Sequence, residues 1–259
     1  MWVAASLLCL LSYMWWEAHR NRVVSVEVAL PDFPESVRAL TIFFISDIHR
    51  RSVSEKMIER LKGTADLVVI GGDLMEKGVP FARVKENIRR LKQIGPVYFV
   101  WGNNDYEADY RELDALLWQE GVRVLDNSVA MFESETGEKV ALIGVDDISK
   151  RRARLDLALS DIDEAAFRIV VCHNPAIVRM IRPEHRISLV LSGHTHGGQI
   201  RLGRFGLYEK GGVKQVNGTT VLISNGYGTT NVPLRFGVPA ETNLITIRRR
   251  KQCDDKREV

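Results

Sequence analysis

The amino-acid sequence predicts an α/β fold in which two packed mixed β-sheets are flanked by helices. Six short runs rich in Val, Ile, Leu and Phe lack polar alternation, which indicates strands buried on both faces. Amphipathic stretches with a helical period lie between several of these runs. The last third of the chain is rich in Gly, Asn and Thr, so its strands are expected to be shorter and more antiparallel.

The N-terminal segment, MWVAASLLCLLSYMWW, carries no charge. Its length is near the lower limit for a membrane-spanning helix, about 17–25 apolar residues, and its last two tryptophans are typical of an interfacial belt. We predict an uncleaved single-pass membrane anchor over residues 1–18; a cleaved export signal and a buried helix are the alternatives. Arg20 and Arg22 follow the segment, which predicts a cell-membrane location with the following domain on the cytoplasmic side.

The rest of the chain divides into three predicted parts. Residues 19–38 are expected to form a juxtamembrane linker with a first strand, VVSVEVAL, and residues 39–248 the main domain. Its buried strands are predicted over the apolar runs at 39–46, 66–72, 96–102, 139–145, 167–173 and 187–193. Helices are predicted over SEKMIERLKG, FARVKENIRRLKQI and YRELDALLWQEG, and a hairpin turn over VNGTT. Residues 249–259 are predicted to be a charged, solvated tail.

Composition and charge exclude several kinds of protein. Of the 259 residues, 45% are hydrophobic and 27% are charged, which is ordinary for a globular fold. The formal net charge of +3 is too small to indicate nucleic-acid binding, and no nucleic-acid partner is expected. Cys9, Cys172 and Cys253 are odd in number and far apart, so neither a disulfide framework nor a zinc framework is indicated.

Potential metal ligands stand at the carboxyl ends of five apolar runs. In open α/β sheets the loops that follow the strands converge there and form ligand sites. The residues are Asp47, His49, Asp73, Asn103, Asn104, Asp105, His173, His194 and His196. In DIH and HTH the two ligands are two positions apart, so an extended backbone directs both to the same side. Aspartate and histidine suit divalent transition metals, and the set is large enough for two ions.

The blocks DIH, GGD, GNND, CHNP and GHTHGG, in this order and spacing, resemble the calcineurin-like metallophosphoesterases over most of the chain. The extension GHTHGGQIRL is similar to the YkuE-like, membrane-associated bacterial branch and to lipid A precursor pyrophosphatases. The resemblance implies an αββα sandwich with two divalent metal ions, manganese most of all, with iron or zinc as alternatives. It also implies hydrolysis of a phosphodiester, phosphomonoester or pyrophosphate by metal-activated water.

The resemblance also assigns roles to individual residues. Asp47, His49 and His196 would bind the first metal ion. Asp73 would bridge the two ions, and Asn103, His173 and His194 would bind the second. Asn104 and His194 are the candidate catalytic residues.

One position departs from the family pattern. Where the family usually has a histidine after the ligand asparagine, this chain has Asn104, which can donate a hydrogen bond but cannot act as a proton donor. We therefore expect the enzyme to depend on a good leaving group or on another acid. Asp105 is expected to orient the loop or to hydrogen-bond a ligand.

Each residue taken alone has an ordinary structural explanation as a turn, cap or loop residue. Two functional alternatives also stand: a non-catalytic metal-binding scaffold on the same fold, and a nuclease. Arg201, Asn225 and Arg235 are candidates for binding substrate phosphate, with structural roles equally expected. Asp146 and Asp147 are expected to be turn residues. The natural substrate and the oligomeric state stay open.

Overall fold

The computed structural model describes residues 2–160 and 162–250, and two six-stranded sheets lie at its centre. In spatial order the first sheet contains β1 (Arg22–Leu30), β12 (Glu241–Arg249), β2 (Leu40–Ile45), β3 (Leu67–Gly71), β4 (Val97–Val100) and β5 (Arg123–Val124). The second contains β10 (Gly212–Val216), β11 (Thr219–Ile223), β9 (Leu189–Ser192), β8 (Phe167–Cys172), β7 (Lys139–Val145) and β6 (Ser128–Glu133). The helices are α1 (Trp2–Ala18), α2 (Glu55–Leu61), α3 (Phe81–Leu91), α4 (Tyr110–Gln119) and α5 (Leu155–Leu159).

The predicted architecture of two mixed sheets flanked by helices is confirmed. Each of the six apolar runs contains a strand, and the strands β2–β3–β4 and β7–β8–β9 pair in parallel within their sheets. The hairpin between β10 and β11 turns at Asn217 and Gly218, whose φ angles are 51° and 84°. Antiparallel pairing of the later strands is found for β10 with β11 and for β12 with β2, whereas β11 pairs in parallel with β9.

Alternate side chains of the central strands enter different core layers, because successive side chains of a strand point to opposite faces. In β2, Phe43 and Ile45 pack with the apolar faces of the helices α2, α3 and α4. Ile42 and Phe44 pack between the two sheets, and a third layer lies on the outer face of the second sheet. A strand with both faces covered needs apolar residues at consecutive positions, which accounts for the unbroken runs.

The two sheets place the carboxyl ends of β2, β3, β8 and β9 at a common edge. Backbone hydrogen bonds join the loops there: Asp47 N donates to Gly72 O at 3.0 Å and Gly193 N to His173 O at 3.0 Å. Tyr227 N donates to Ser46 O at 3.0 Å, which brings a loop from the last third of the chain to the same edge. The loops that carry the predicted ligands therefore form one connected rim.

The predicted membrane-spanning anchor is not supported. Within residues 2–160 and 162–250, no helix has both the length and the apolar character needed to cross a membrane. Helix α1 has 17 residues, and at about 1.5 Å per residue it is shorter than a hydrocarbon core of about 30 Å. Its last turn packs on the domain, where Arg235 N donates to Met14 O at 3.0 Å and Ala240 N to Glu17 O at 3.2 Å.

The predicted tail lies largely outside the described residues. Residues 251–259, including Cys253, are not described, whereas residue 249 ends β12. Cys172 is fully buried in the outer layer of the second sheet, as expected for a small apolar filler.

Candidate metal centre

The structure brings the seven predicted metal-binding residues together at the common edge of the sheets. They lie in the loops after β2 (Asp47, His49), β3 (Asp73), β4 (Asn103), β8 (His173) and β9 (His194, His196). Five of the seven line a cavity of about 380 Å³. The other two contact lining residues: His173 Nε2 lies 3.2 Å from Asp73 Oδ2, and Asp47 Oδ1 lies 3.3 Å from His196 Nε2. Four of the seven come from the first sheet and three from the second, so the site depends on the packing of both.

Two groups of ligand atoms share one carboxylate. Asp47, His49 and His196 form one group, and Asp47, Asp73 and His173 form the other, with the ligand atoms of each group within 4.8 Å of one another. His196 Nε2 lies 3.3 Å from Asp47 Oδ1, and His173 Nε2 lies 3.2 Å from Asp73 Oδ2. Asp73 Oδ2 is also 3.7 Å from His49 Nε2, so this carboxylate reaches both groups as well.

His194 and Asn103 line the same cavity as these groups. His194 Nδ1 lies 3.3 Å from His173 Nε2, and the His194 backbone N–H donates to Asp47 Oδ1 at 3.1 Å. Asn103 Oδ1 is buried and has no hydrogen-bond partner among the described residues. A buried carbonyl oxygen without a donor is costly, by about 1–3 kcal/mol, unless a ligand satisfies it.

The donor set fits divalent metal ions. Carboxylate and amide oxygens and imidazole nitrogens are the ligands that such ions take. The Nε2 atoms of His49 and His196 lie only 3.2 Å apart, an approach of two ligand atoms that a shared cation would stabilise. The unpartnered oxygen of Asn103, which lines the same cavity, points to the same conclusion.

Five of the candidate ligands have a left-handed backbone. The φ angles are 56° for Asp47, 51° for His49, 52° for Asp73, 69° for His194 and 50° for His196. This region costs a non-glycine residue roughly 1–2 kcal/mol, and such strain is concentrated at functional sites. The sharp turns direct these side chains into a common space, which extended loops would not do.

Hydrogen bonds to the other ring nitrogen orient two of the histidines. His173 Nδ1 donates to Gly71 O at 2.8 Å, and His49 Nδ1 lies 3.1 Å from Glu76 Oε2. Each contact leaves Nε2 to face the ligand space, an arrangement that is common for metal-binding histidines. Sequence reasoning missed Glu76, because an acidic residue in a loop after GGD carries no pattern that separates it from a surface residue.

Asp105 organises the loop after β4 and is not exposed to the cavity. Its Oδ2 accepts the backbone N–H groups of Gly102 and Asp73 at 2.8 Å, and its Oδ1 accepts that of Met75 at 3.0 Å. Burial and the charge of Asp73 raise the pKa of Asp105 to about 7. Asp105 was expected to orient the loop or to hydrogen-bond a ligand, and its contacts in the structure orient the loop.

Asn104 lies at the cavity mouth. Its backbone N–H donates to Asp73 Oδ1 at 2.8 Å, and its side-chain amide nitrogen is 3.4 Å from His49 Nδ1. Asn103 donates its side-chain N–H to Asn104 Oδ1, so the two amides form a connected pair. This leaves the partly exposed Asn104 amide beside the ligand space, where it can donate to a phosphoryl oxygen.

The charges of the site are strongly coupled. Burial alone would raise the pKa of Asp47 and Asp73, but the neighbouring histidines, His196 and His173 respectively, hold both well below the ordinary range. Burial opposes protonation of His173, yet the Asp73 carboxylate raises its pKa to about 10. Burial lowers the pKa of His196 to about 3. The two carboxylates are therefore ionised at neutral pH and available to cations.

Arg235 lies behind the ligands and not in the cavity. It is fully buried and donates from Nη2 to Asn225 O and Gly228 O, each at 2.7 Å, and to His196 Nδ1 at 3.1 Å. Arg201 is similarly occupied by the backbone carbonyls of its own loop. Of the two roles expected for these arginines, phosphate binding and a structural role, the contacts of both fit the structural role.

Asn225 and the aspartate pair after β7 also have structural contacts. Asn225 donates to Glu241 Oε1 at 2.8 Å and accepts from Gly211 N at 2.8 Å. Asp147 Oδ1 accepts from Lys150 N at 3.0 Å, as expected for a turn residue. Asp146 accepts from Tyr106 Oη at 2.8 Å, away from the ligand groups.

Comparison with solved structures shows the same fold. The structure aligns with that of a 5'-nucleotidase precursor from Thermus thermophilus at a TM-score of 0.50 and 14% sequence identity. The alignment covers 80% of this chain and 55% of that one. At this identity the likeness concerns the fold alone.

Comparison of sequences adds closer relatives. The Bacillus subtilis protein YpbG is 49% identical over 80% of this chain and 81% of its own length. A zebrafish transmembrane protein with a metallophosphoesterase domain is 32% identical over 88% of this chain, which spans only 58% of that relative. B. subtilis metallophosphoesterase YkuE is 26% identical over 71% of this chain and 68% of its own length.

A family model matches the segment of the chain that contains the candidate ligands. The sequence model described as calcineurin-like phosphoesterase matches residues 40–198, the segment from β2 through the histidines that follow β9. That segment contains every residue of the two ligand groups. The chain therefore belongs to the calcineurin-like phosphoesterase family, which places it among the hydrolases that act on phosphate esters.

Proposed function

We propose that the protein is a two-metal phosphoesterase that hydrolyses a phosphodiester, a phosphomonoester or a pyrophosphate. The observation that carries the proposal is the pair of buried ligand groups that share Asp47, with Asp73 within reach of both. Such adjoining groups would hold two ions that could act on one phosphoryl group. Manganese is the proposed metal, since the mixed oxygen and nitrogen donors suit it, with iron and zinc as alternatives.

The proposed ligands divide as the two groups do. Asp47, His49 and His196 would hold one ion, and Asp73, Asn103, His173 and His194 the other, with a carboxylate between them. When bound, the ions supply Lewis acidity, which brings the pKa of water towards neutrality and offsets charge on phosphoryl oxygens.

The chain itself supplies orientation and hydrogen bonding. Glu76 and the Gly71 carbonyl hold the rings of His49 and His173, so little reorganisation is needed when substrate binds. Asn104 donates a hydrogen bond to a phosphoryl oxygen and takes no part in proton transfer. His194, at the cavity wall, is positioned to offset charge on the same group.

The test combines metal analysis with hydrolysis of bis-p-nitrophenyl phosphate by wild type and Asp73→Asn. Wild type is expected to bind about two manganese ions per chain and to turn over, and Asp73→Asn to lose at least about 100-fold in kcat/KM. The matched control is Asp114→Asn, the same substitution at an exposed position of α4. Bound metal without turnover of any phosphate ester would favour the scaffold alternative, and equal activity of Asp73→Asn and wild type would refute the mechanism.

We further propose that α1 holds the protein at the cell membrane by lying against the lipid, with the domain on the cytoplasmic side. Trp2, Val3 and Leu8, in the part of α1 that precedes Glu17 and carries no charge, are exposed by 88%, 84% and 66%, and lipid would cover them. Arg22, which follows α1 and is exposed, suits an anionic cytoplasmic surface. Co-sedimentation with phosphatidylglycerol vesicles should be lost when residues 2–12 are deleted. Equal sedimentation of both proteins would exclude this role.

A further inference from the structure

A second cavity adjoins the metal centre. It has a volume of about 940 Å³ and is lined mainly by polar side chains of the loops after β2 and β3 and of the segment 229–233. The metal-centre cavity shares four of its lining residues: Asn104, Thr230, Asn231 and Val232. The two cavities therefore adjoin at Asn104 and at the segment 230–232.

The second cavity is lined by cations whose charge is not neutralised locally. Arg51, Lys77 and Arg83 line it, and in the described part of the chain none of them has a carboxylate within 4.0 Å. Arg50 and two carboxylates, Glu76 and Glu107, also line it. Glu76 pairs with Arg50, and Glu107 lies 3.5 Å from Lys150, so neither carboxylate pairs with the three cations. Cations gathered in one concave surface attract anions, because the surrounding protein focuses their field.

Two of these cations are held in place before any ligand binds. The guanidinium carbon of Arg51 lies 3.8 Å from the centroid of the Tyr227 ring, and its Nη2 donates to Asn21 Oδ1 at 2.8 Å. Arg83 Nη1 donates to Arg50 O at 2.8 Å. Arg83 retains further N–H groups that can meet phosphate oxygens, since a guanidinium has five donors. Arg51 retains its Nε–H and its charge, because its Nη atoms already donate to His19 O, Arg20 O, Tyr227 O and Asn21 Oδ1.

We propose that the second cavity binds the phosphate that leaves in the reaction, which makes the substrate a phosphoric anhydride, a molecule with a P–O–P linkage. This deepens the proposed function and rests on it. One phosphorus would lie at the metal centre and be attacked by water. The other phosphate would lie beyond Asn104, among Arg51, Lys77 and Arg83.

The chemistry of Asn104 favours such a leaving group. Water forms a bond to the first phosphorus, and the bond from this phosphorus to the bridging oxygen breaks. The bridging oxygen leaves with the electron pair as part of the second phosphate, and the proton of the attacking water passes to solvent. An alkoxide would need a proton as it leaves, and the Asn104 amide can donate a hydrogen bond but cannot transfer a proton. A phosphate, with a second pKa of about 6, leaves as a stable anion that the cations can bind.

The first experiment measures selectivity between two substrates. UDP-glucose contains a P–O–P linkage, so its leaving group is a phosphate. The leaving group of bis-p-nitrophenyl phosphate is p-nitrophenolate, which contains no phosphate. The readout is the ratio of their kcat/KM values in wild type, Lys77→Gln, Arg83→Gln and the double variant. Losing one charge-assisted hydrogen bond should lower the ratio by about 10-fold or more for each cation. The control is Arg38→Gln, an exposed arginine before β2 at the opposite end of the strand, which should leave the ratio unchanged.

The second experiment needs neither metal nor turnover. Calorimetric titration of the metal-free protein with inorganic phosphate should give an affinity that falls about 10-fold or more in Lys77→Gln and Arg83→Gln but not in Arg38→Gln. An unchanged selectivity ratio together with unchanged phosphate affinity would overturn the proposal. Hydrolysis of bis-p-nitrophenyl phosphate without hydrolysis of UDP-glucose or of inorganic pyrophosphate would also overturn it while leaving the proposed function intact. Hydrolysis of none of the three would instead count against the proposed function.

Discussion

Replacing Gly72 by alanine should disturb the metal centre more than the backbone strain alone can explain. A Cβ atom at this position would lie 2.6 Å from His173 Nδ1 and 2.7 Å from His173 Cγ. Ordinary contact begins near 3.4 Å, so the ring has to move by about 0.8 Å. That movement breaks the 2.8 Å hydrogen bond from His173 Nδ1 to Gly71 O, which fixes the ring.

The magnitude follows from two contributions. Gly72 has a φ of 84°, and this left-handed conformation costs alanine roughly 1–2 kcal/mol. The displaced ring and the lost buried hydrogen bond add about 1–3 kcal/mol, so the free energy of unfolding should fall by about 2–5 kcal/mol. Because His173 is a proposed ligand, manganese affinity should also fall by about 10- to 100-fold.

Gly218 offers a matched control for this variant. It has the same φ of 84°, in the turn between β10 and β11, and a Cβ there would meet nothing within 4 Å. Gly218→Ala should therefore lose only the strain contribution, about 1–2 kcal/mol, and bind manganese normally. Urea denaturation of the metal-free proteins and calorimetric titration with manganese measure both quantities. Equal instability of the two variants, with wild-type manganese affinity in both, would refute the reasoning.

Three further predictions follow from the contacts around the ligands. Glu76→Gln should reduce manganese affinity by about 10- to 100-fold in a calorimetric titration, because the His49 ring loses its anionic acceptor, while a change below about threefold would contradict that role. The raised His173 pKa of about 10 stabilises the metal-free fold below about pH 6.5, and that stabilisation is lost as pH rises towards 10. As pH rises through this range, the urea midpoint should therefore fall more steeply for wild type than for His173→Gln. Parallel plots of midpoint against pH would be evidence against the raised pKa of His173. Arg235→Lys should cost about 2–4 kcal/mol in urea denaturation, since an ammonium cannot satisfy the carbonyls that the guanidinium binds; a loss under 1 kcal/mol would contradict this.

Much of the fold could be predicted from the sequence because its signals are local. A strand covered on both faces needs consecutive apolar residues, and the six apolar runs correspond to β2, β3, β4, β7, β8 and β9. The short strands β5 and β6 and the five-residue helix α5 were not predicted, because they lie partly exposed and lack a strong pattern. The predicted spanning anchor is not supported among the described residues, and hydropathy alone does not show that the last turn of α1 packs on the domain.

The candidate ligands were also visible in the sequence, since each follows a strand whose carboxyl end faces the site. The resemblance assigned the bridging role to Asp73. In the structure Asp47 belongs to both ligand groups, and Asp73 Oδ2 also lies 3.7 Å from His49 Nε2, so both carboxylates reach the two groups. The distances between these carboxylates and the histidines depend on loop conformation, including the left-handed φ angles of Asp47 (56°) and Asp73 (52°). No spacing of residues along the chain carries that information.

Taken by itself, the sequence determined the αββα layering, the types of candidate ligand and the family. Its signals are the apolar runs, the amphipathic stretches between them and the short motifs after the runs, and each is a property of residues that are neighbours in the chain. Only the tertiary structure decided that Glu76 holds His49, that Arg235 lies behind His196, and that Arg51, Lys77 and Arg83 line a cavity beside Asn104. The segment 229–233 closes that cavity from more than 100 residues away along the chain. Contacts of this kind depend on how the two sheets pack and how their loops turn, and packing is settled only when the whole chain has folded.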